Sequence, residues 1–184
     1  MSRRDAADPT APLPPDDLTR ALVRSRTDDA ALPHIGIAGD TYTILLSGRD
    51  TDGRFTLIDM HVPPGGGPAP HRHDFEETFT ILDGRIEVTF RDQTLSAEAG
   101  ETINVPANAP HAFRNVSDRP ARLLCLAAPA GLEELFAAIG VPVAHRTQAP
   151  PRLDAAGQAA FIAKAKAAGP RYRTQLLPPP PDRP

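Results

Sequence analysis

Short runs in which apolar and polar side chains alternate occupy the middle of the chain. The run Arg54–Val62 places Thr56, Ile58, Met60 and Val62 on one face, as a strand with one buried side does. Similar short runs, separated by glycine, proline and aspartate turns, cover Thr41–Leu46, Glu77–Leu82, Arg85–Phe90, Thr94–Ala97, Glu101–Val105, His111–Asn115 and Arg122–Ala127. Many short strands with frequent turns predict an all-β sandwich or barrel.

The pattern changes towards both ends of the chain. Gly131–Gly140 and Asp154–Ala168 have helical spacing or composition, with Asp154 as N-cap of the second helix and Gly169 at its end. A short helix is also predicted for Asp17–Arg26. We therefore predict a disordered N-terminal arm over 1–32, a β-barrel over 33–128, a helical extension packing on the barrel over 129–170, and a proline-rich tail over 171–184.

Composition restricts the classes of function. The net charge of −3 gives no basic surface for nucleic acid or for a membrane. No apolar run approaches the roughly 20 residues that span a bilayer, and the first residues lack the apolar segment of a secretory signal. The single cysteine, Cys125, cannot form an intramolecular disulfide. These features predict a soluble, cytoplasmic protein.

Potential metal ligands cluster after a glycine-proline loop. His71, His73 and Glu77 have the same parity, so in extended chain they project to one side of a sheet, whereas Glu76 faces away. His111 would close the site from a facing strand. The alternatives are a solvated strand edge for the first three residues and a buried, hydrogen-bonded histidine for His111. Imidazoles with a carboxylate suit one divalent Fe, Mn, Co, Ni, Cu or Zn ion, with positions left for substrate, water or dioxygen.

Other residues are candidates for a substrate pocket beside the ligands. They are Tyr42, His61, Phe75, Phe79 and Phe113. The phenylalanines fit an ordinary barrel core equally well, and His61 fits a plain strand position better than a pocket. His34 and His145 lie near prolines in connecting segments, and we expect both to be solvated. Cys125 lies in an apolar run and is expected to be buried rather than to bind metal.

These residues resemble two sequence motifs of the cupin superfamily. The first motif has the spacing G-x5-H-x-H-x3-E-x6-G, and the second has G-x5-P-x-G-x2-H-x3-N. The matching positions are Gly65, His71, His73, Glu77 and Gly84 for the first, and Gly100, Pro106, His111 and Asn115 for the second. Asn108 replaces a glycine of the second motif, and asparagine tolerates the left-handed backbone that this turn needs.

The resemblance implies a cupin (jelly-roll-like) barrel with one metal ion on His71, His73, Glu77 and His111. Residues 131–140 also resemble the helical extension of bacterial cupins related to quercetin 2,3-dioxygenase. The implied function is a metal-dependent dioxygenase for a small phenolic or enolic substrate, with Glu77 as ligand or as a general base made more basic by apolar neighbours. A metal-dependent lyase or isomerase without dioxygen, or a non-enzymatic binding protein, remains open. A homodimer is expected because dimers are common in the family.

Overall fold

The computed structural model describes residues 10–178. Within that range the strands are β1 (His34–Ile37), β2 (Asp40–Leu46), β3 (Thr56–Val62), β4 (His71–His73), β5 (Glu76–Asp83), β6 (Arg85–Phe90), β7 (Gln93–Glu98), β8 (Thr102–Val105), β9 (His111–Arg114), β10 (Ala121–Ala128), β11 (Val141–Pro142) and β12 (Thr174–Leu176). The helices are α1 (Leu132–Ile139) and α2 (Ala155–Ala168). In this part of the chain neither helix is long and apolar enough to cross a membrane.

Two antiparallel sheets enclose the core. The larger sheet has the strand order β11-β1-β2-β3-β10-β5-β8, and the smaller has the order β12-β4-β9-β6-β7. Ile58 on β3 lies opposite Cys125 on β10, and Cys125 lies opposite Phe79 on β5. All three side chains are buried, because cross-strand partners project to the same face of a sheet. This inner face of the larger sheet meets the smaller sheet, as the predicted all-β barrel requires.

Most predicted strands are present with boundaries that differ by a residue or two, and Arg85–Phe90 is reproduced without change. Both helices after residue 130 are confirmed, and Asp154 caps α2 by accepting a hydrogen bond from the Gly157 amide at 2.8 Å. Thr174–Leu176, in the segment predicted as tail, instead forms β12, which pairs with β4. The remaining tail residues 179–184 lie outside the described residues.

The described part of the N-terminal arm lies along the outer face of the larger sheet. The short helix predicted for Asp17–Arg26 is wrong, because residues 10–33 contain only turns and irregular chain. The Ser25 hydroxyl instead donates to the Leu45 carbonyl at 2.6 Å. Residues 1–9, also predicted as part of the arm, lie outside the described residues.

His34 also differs from its prediction. It is only 4% exposed, and its ring contacts the Thr43 hydroxyl at 2.7 Å and the Asp29 carbonyl at 3.2 Å. The expectation of a solvated His34 is therefore wrong, because Pro33 is followed directly by strand β1 and the arm covers this face. His145 is exposed, as expected.

Candidate metal centre

Four side chains from three strands converge in the interior. One potential ligand atom from each of His71, His73, Glu77 and His111 lies within 4.8 Å of the others. Glu77 Oε2 is 2.9 Å from His73 Nε2 and 3.2 Å from His111 Nε2. His73, Glu77 and His111 are each at most 4% exposed, and His71 is half-buried. The site is thus almost fully shielded from solvent, with His71 as its most accessible member.

The four side chains meet from different strands than the shared parity of His71, His73 and Glu77 predicts. His71 and His73 lie on β4 of the smaller sheet, but Glu77 lies on β5 of the larger sheet. His111 on β9 is the direct cross-strand partner of His71, so it is a neighbour in the same sheet and does not face it. The chain passes from one sheet to the other between β4 and β5, and the carboxylate therefore approaches the three imidazoles from across the interior.

Backbone carbonyls fix the tautomer of all three imidazoles. His71 Nδ1 donates to the Ala69 carbonyl at 2.9 Å, His73 Nδ1 to the Phe75 carbonyl at 2.9 Å, and His111 Nδ1 to the Ala109 carbonyl at 3.0 Å. A carbonyl oxygen only accepts, so each Nδ1 carries the hydrogen. Each neutral ring then has its lone pair on Nε2, the tautomer that a metal ligand needs.

The electrostatics of the centre keep Glu77 ionised. Burial by itself raises the pKa of Glu77, but a second proton on His111 or His73, carried at Nε2, hydrogen-bonds to the carboxylate and, with the positive charges of the histidines, lowers that pKa below its ordinary range. The expected increase in the basicity of Glu77 from its apolar neighbours is therefore outweighed. Burial, followed by the nearby His111, lowers the pKa of His71 to about 4, so its imidazole is neutral at pH 7.

The second carboxylate oxygen of Glu77 and the ring of His73 are held by separate contacts. The Cys125 thiol donates to Glu77 Oε1 at 3.4 Å. Burial, followed by the Glu77 charge, raises the pKa of this thiol, so it remains protonated as a donor. Phe75 stacks on the His73 ring with the centroids 3.9 Å apart and the planes 3° from parallel. Glu77 Oε2 is therefore left to face the imidazoles.

Two turns hold β4 and β9 in place. Gly67 has φ 126°, and a Cβ at this position would lie 2.1 Å from the Phe113 carbonyl oxygen on β9. Asn108 has φ 69°, as its place in the turn predicts, and its amide donates to the His73 carbonyl at 2.6 Å. Asn115 is fully buried, and its side-chain amide donates to the Val62 carbonyl at 2.9 Å. The motif residues that are not ligands thus fix the backbone around the ligands.

The donor set fits a transition-metal ion. With hydrogens held on the three Nδ1 atoms, the Nε2 lone pairs of His73 and His111 point at an ionised carboxylate. Lone pairs that face each other repel unless a proton or another cation lies between them. Imidazole nitrogens and one carboxylate oxygen are the ligands that borderline first-row ions prefer. The cluster could therefore hold one divalent ion of the predicted group.

A family model described as a cupin domain matches residues 58–127, which include all four converging residues. Residues 58–127 therefore form a cupin domain. The matched segment runs from β3 to β10, so it contains the two turns and the strands that carry the cluster.

This cupin is similar in sequence to several curated proteins. It is 29% identical over 109 residues to quercetin 2,3-dioxygenase of Bacillus subtilis, covering 59% of this chain and 32% of that protein. It is 33% identical over 89 residues to the polyketide synthase CurC of Streptomyces cyaneus, covering 47% of this chain and 56% of CurC. The chain therefore spans about a third to three fifths of the length of the curated relatives that it matches.

Solved structures support the fold of this cupin. The polyketide cyclase RemF of Streptomyces resistomycificus matches with a TM-score of 0.51 and 22% identity, over 73% of this chain and 89% of RemF. A predicted oxalate decarboxylase of Thermotoga maritima matches with a TM-score of 0.51 and 19% identity, over 59% of this chain and 99% of that chain. At these identities the likeness shows the shared cupin fold alone.

The predicted pocket residues separate into two groups. Tyr42, Phe75, Phe79 and Phe113 are all buried in the interior core, and Phe79 meets Phe113 edge-on at 5.3 Å between centroids. His61 lies on β3 between the inward-facing Met60 and Val62, so its side chain points to the outer face of the sheet. His61 thus occupies the plain strand position that the sequence favours, and it does not line a pocket beside the metal ligands.

Sequence reasoning overlooked a second buried carboxylate, that of Asp40. It is 2% exposed and accepts hydrogen bonds from the Tyr42 hydroxyl at 2.9 Å and the Gly67 amide at 3.0 Å. Its other oxygen, Oδ1, has no hydrogen-bond partner among the described residues. Burial raises the pKa of Asp40 to about 7. Asp40 follows Gly39 at the start of β2, and nothing in the local sequence pattern indicates that its carboxylate is buried.

Proposed function

We propose that this cupin is a metal-dependent dioxygenase that acts on a small phenolic or enolic substrate. The observation that carries the proposal is the convergence of three Nδ1-anchored imidazoles and one carboxylate oxygen. A divalent transition metal at that point supplies a Lewis acid that polarises a substrate oxygen and lowers its pKa. The similarity to quercetin 2,3-dioxygenase supports this choice among the many reactions of the superfamily.

The residues around the centre have separate roles in this proposal. His71 is the accessible ligand, so the substrate approaches beside it. Phe75, which stacks on His73, shields that side of the centre from water. Cys125 holds Glu77 Oε1, so Oε2 is the oxygen that would bind the ion or, once released from it, accept the proton of a substrate hydroxyl.

Glu77→Gln tests that assignment. The amide cannot accept the proton, and we expect the variant to retain metal and to lose most of its turnover. An unchanged turnover number would show that Glu77 acts as a ligand alone. Because the protein's own groups keep Glu77 fully ionised, we expect the activity to show no pH dependence from this carboxylate above pH 5.

A second candidate reaction is a metal-dependent cyclisation or isomerisation that needs no dioxygen. It is supported by the sequence similarity to the polyketide synthase CurC, which is 33% identical over the matched residues. The same Lewis acid and the same carboxylate would serve it, since both reactions pass through an oxygen anion next to a carbon–carbon double bond. A non-enzymatic binding role would instead give tight ligand binding without conversion.

Metal content is the first test. We expect protein purified without added metal to contain close to one equivalent of a transition ion by elemental analysis, and His111→Ala to contain much less. His145→Ala is the matched control, because His145 is exposed and lies outside the cluster. A folded wild-type protein that takes up no transition ion would refute the metal centre.

Oxygen dependence is the second test. Flavonols, β-diketones and simple phenols are screened with the metal-loaded protein in an oxygen electrode, and product formation is measured in parallel with and without air. Dioxygen uptake in proportion to product supports the dioxygenase. Conversion that continues without air supports the cyclase or isomerase, and saturable binding without any product supports the binding role.

A further inference from the structure

A cavity of about 480 Å³ lies on the outer face of the larger sheet, on the opposite side of β3 and β10 from the metal cluster. It is formed where β3 and β5 end and β10 begins, and where the segment after β11 crosses over them. Its lining is rich in basic side chains: His61, Arg119, Arg122 and Arg146, with Asp83 as the one acidic member. None of these residues takes part in the proposed reaction.

One buried carboxylate beneath this cavity is shared by two arginines. Asp59 is 1% exposed, and its Oδ2 accepts hydrogen bonds from Arg122 Nε at 2.7 Å and pairs with Arg122 Nη2 at 2.6 Å. Arg146 Nη2 is 3.3 Å from Asp59 Oδ1, an ion pair that lacks hydrogen-bond geometry. The single carboxylate of Asp59 therefore pairs with two guanidinium groups, and its contact with Arg122 is the closer of the two.

Arg146 is left with unused hydrogen-bonding capacity. Its Nε is buried, and no hydrogen-bond partner for it is present in residues 10–178. A buried donor without a partner destabilises the fold, and more so when it belongs to a charged group. Arg146 belongs to the cavity lining. The buried Nε is not accessible from the cavity, so an anion there would contact the part of the Arg146 side chain that is exposed, 23% of it.

The charges that face the cavity leave a positive excess. Arg119 is exposed and has no ion pair with any residue that the structure describes, and Asp83 likewise has none. The guanidinium groups of the three lining arginines carry three positive charges, and the carboxylates of Asp59 and Asp83 carry two negative charges, which leaves a surplus of one positive charge. His61 adds a donor without adding charge at pH 7, because burial and the nearby Arg146 lower its pKa.

We propose that this cavity binds one small oxyanion, of the phosphate or carboxylate class, between the guanidinium groups of Arg119 and Arg146. A guanidinium group presents parallel N–H donors that match the two oxygens of a carboxylate or phosphate. The anion accepts hydrogen bonds from the exposed donors of both groups and neutralises the surplus charge. The site needs no metal, so it stands or fails independently of the proposed reaction.

Isothermal titration calorimetry of the full chain with sodium phosphate and with sodium malonate tests the proposal, with sodium chloride at equal ionic strength as the reference. We expect saturable binding of at least one of the two oxyanions, and the tighter of them identifies the class. Chloride should produce no saturable heat. If neither oxyanion gives more than the chloride response, the proposal is overturned.

Three variants locate the site. Arg119→Gln removes an exposed, unpaired charge and should leave the fold intact while it weakens the affinity about five- to tenfold. Arg146→Lys keeps the charge but lacks the parallel donors of a guanidinium group, and we expect a similar loss. Arg49→Gln removes an equally exposed arginine from the β2–β3 connection and should bind as wild type does. An equal loss in Arg49→Gln and Arg119→Gln would show unspecific charge attraction and would overturn the site.

Discussion

Asp40→Asn should remove a pH dependence from the stability of this cupin. Asp40 is buried below the glycine loop, and a Cβ on Gly66 would lie 2.2 Å from its Oδ1, so water has little room to solvate the charge. Burial raises the pKa of this carboxyl from 3.8 to about 7, against the opposing hydrogen bonds from Tyr42 and Gly67. The folded protein therefore holds a proton on Asp40 at pH values where the unfolded chain has lost it.

The sign and size of the effect follow from this difference. Below about pH 4 both states are protonated, so the stabilising contribution is fully present, and it is lost as the pH rises through about 7. Each unit of pKa difference corresponds to about 1.4 kcal/mol. Between pH 5 and pH 8 the free energy of unfolding should therefore fall by about 2–3 kcal/mol because of Asp40. The asparagine variant stays neutral and should lack this fall.

Urea unfolding followed by far-ultraviolet circular dichroism measures the effect at pH 5, 6, 7 and 8. A chelator is present throughout, because metal binding is itself dependent on pH. The asparagine amide has no partner next to Gly66, and this destabilises the variant by the same amount at every pH. Comparing the slopes of the free energy of unfolding against pH therefore removes this constant. Asp118→Asn, at an exposed position, is the matched control and should keep the wild-type slope. The reasoning is refuted if Asp40→Asn retains the full wild-type slope.

Two further predictions concern the support of the ligands. Gly67→Ala should destabilise the fold by at least about 2 kcal/mol in chemical denaturation, because the added Cβ would meet the Phe113 carbonyl oxygen and the backbone φ is 126°. Gly39→Ala is the control: its φ is similar but the space around it is open, so it should destabilise the fold less. Cys125→Ala should weaken metal affinity about tenfold, because Glu77 Oε1 loses its donor. Cys125→Ser keeps a donor and should restore much of the affinity. Equal affinities in the wild type and both variants would contradict the role of the thiol.

Local patterns were sufficient to predict much of the fold. The alternation in Arg85–Phe90 locates β6 because one face of this strand is buried and the other is exposed. Asp154 identifies the start of α2 because its side chain satisfies an amide that the helix leaves free. The identity of the metal-ligand candidates also followed from the sequence, since the motif spacing is determined by the two turns that hold β4 and β9.

Features that depend on distant parts of the chain were not predictable in this way. The shared parity of His71, His73 and Glu77 predicts that all three project from one side of the same sheet, but the chain passes to the other sheet after His73. β12 has no clear strand pattern of its own, and Thr174–Leu176 is extended because β4 offers it an unpaired edge. His34 is buried because the arm covers it, a contact that no local pattern records.

The use of main-chain carbonyls to orient the histidine rings has a consequence for how the protein can evolve. The acceptors belong to Ala69, Phe75 and Ala109, and every amino acid offers the same carbonyl. Replacing these side chains therefore leaves the imidazole tautomers intact as long as the backbone keeps its path. Natural variation at these positions could therefore reshape the walls of the centre while the three imidazoles keep the tautomer that a metal ligand needs.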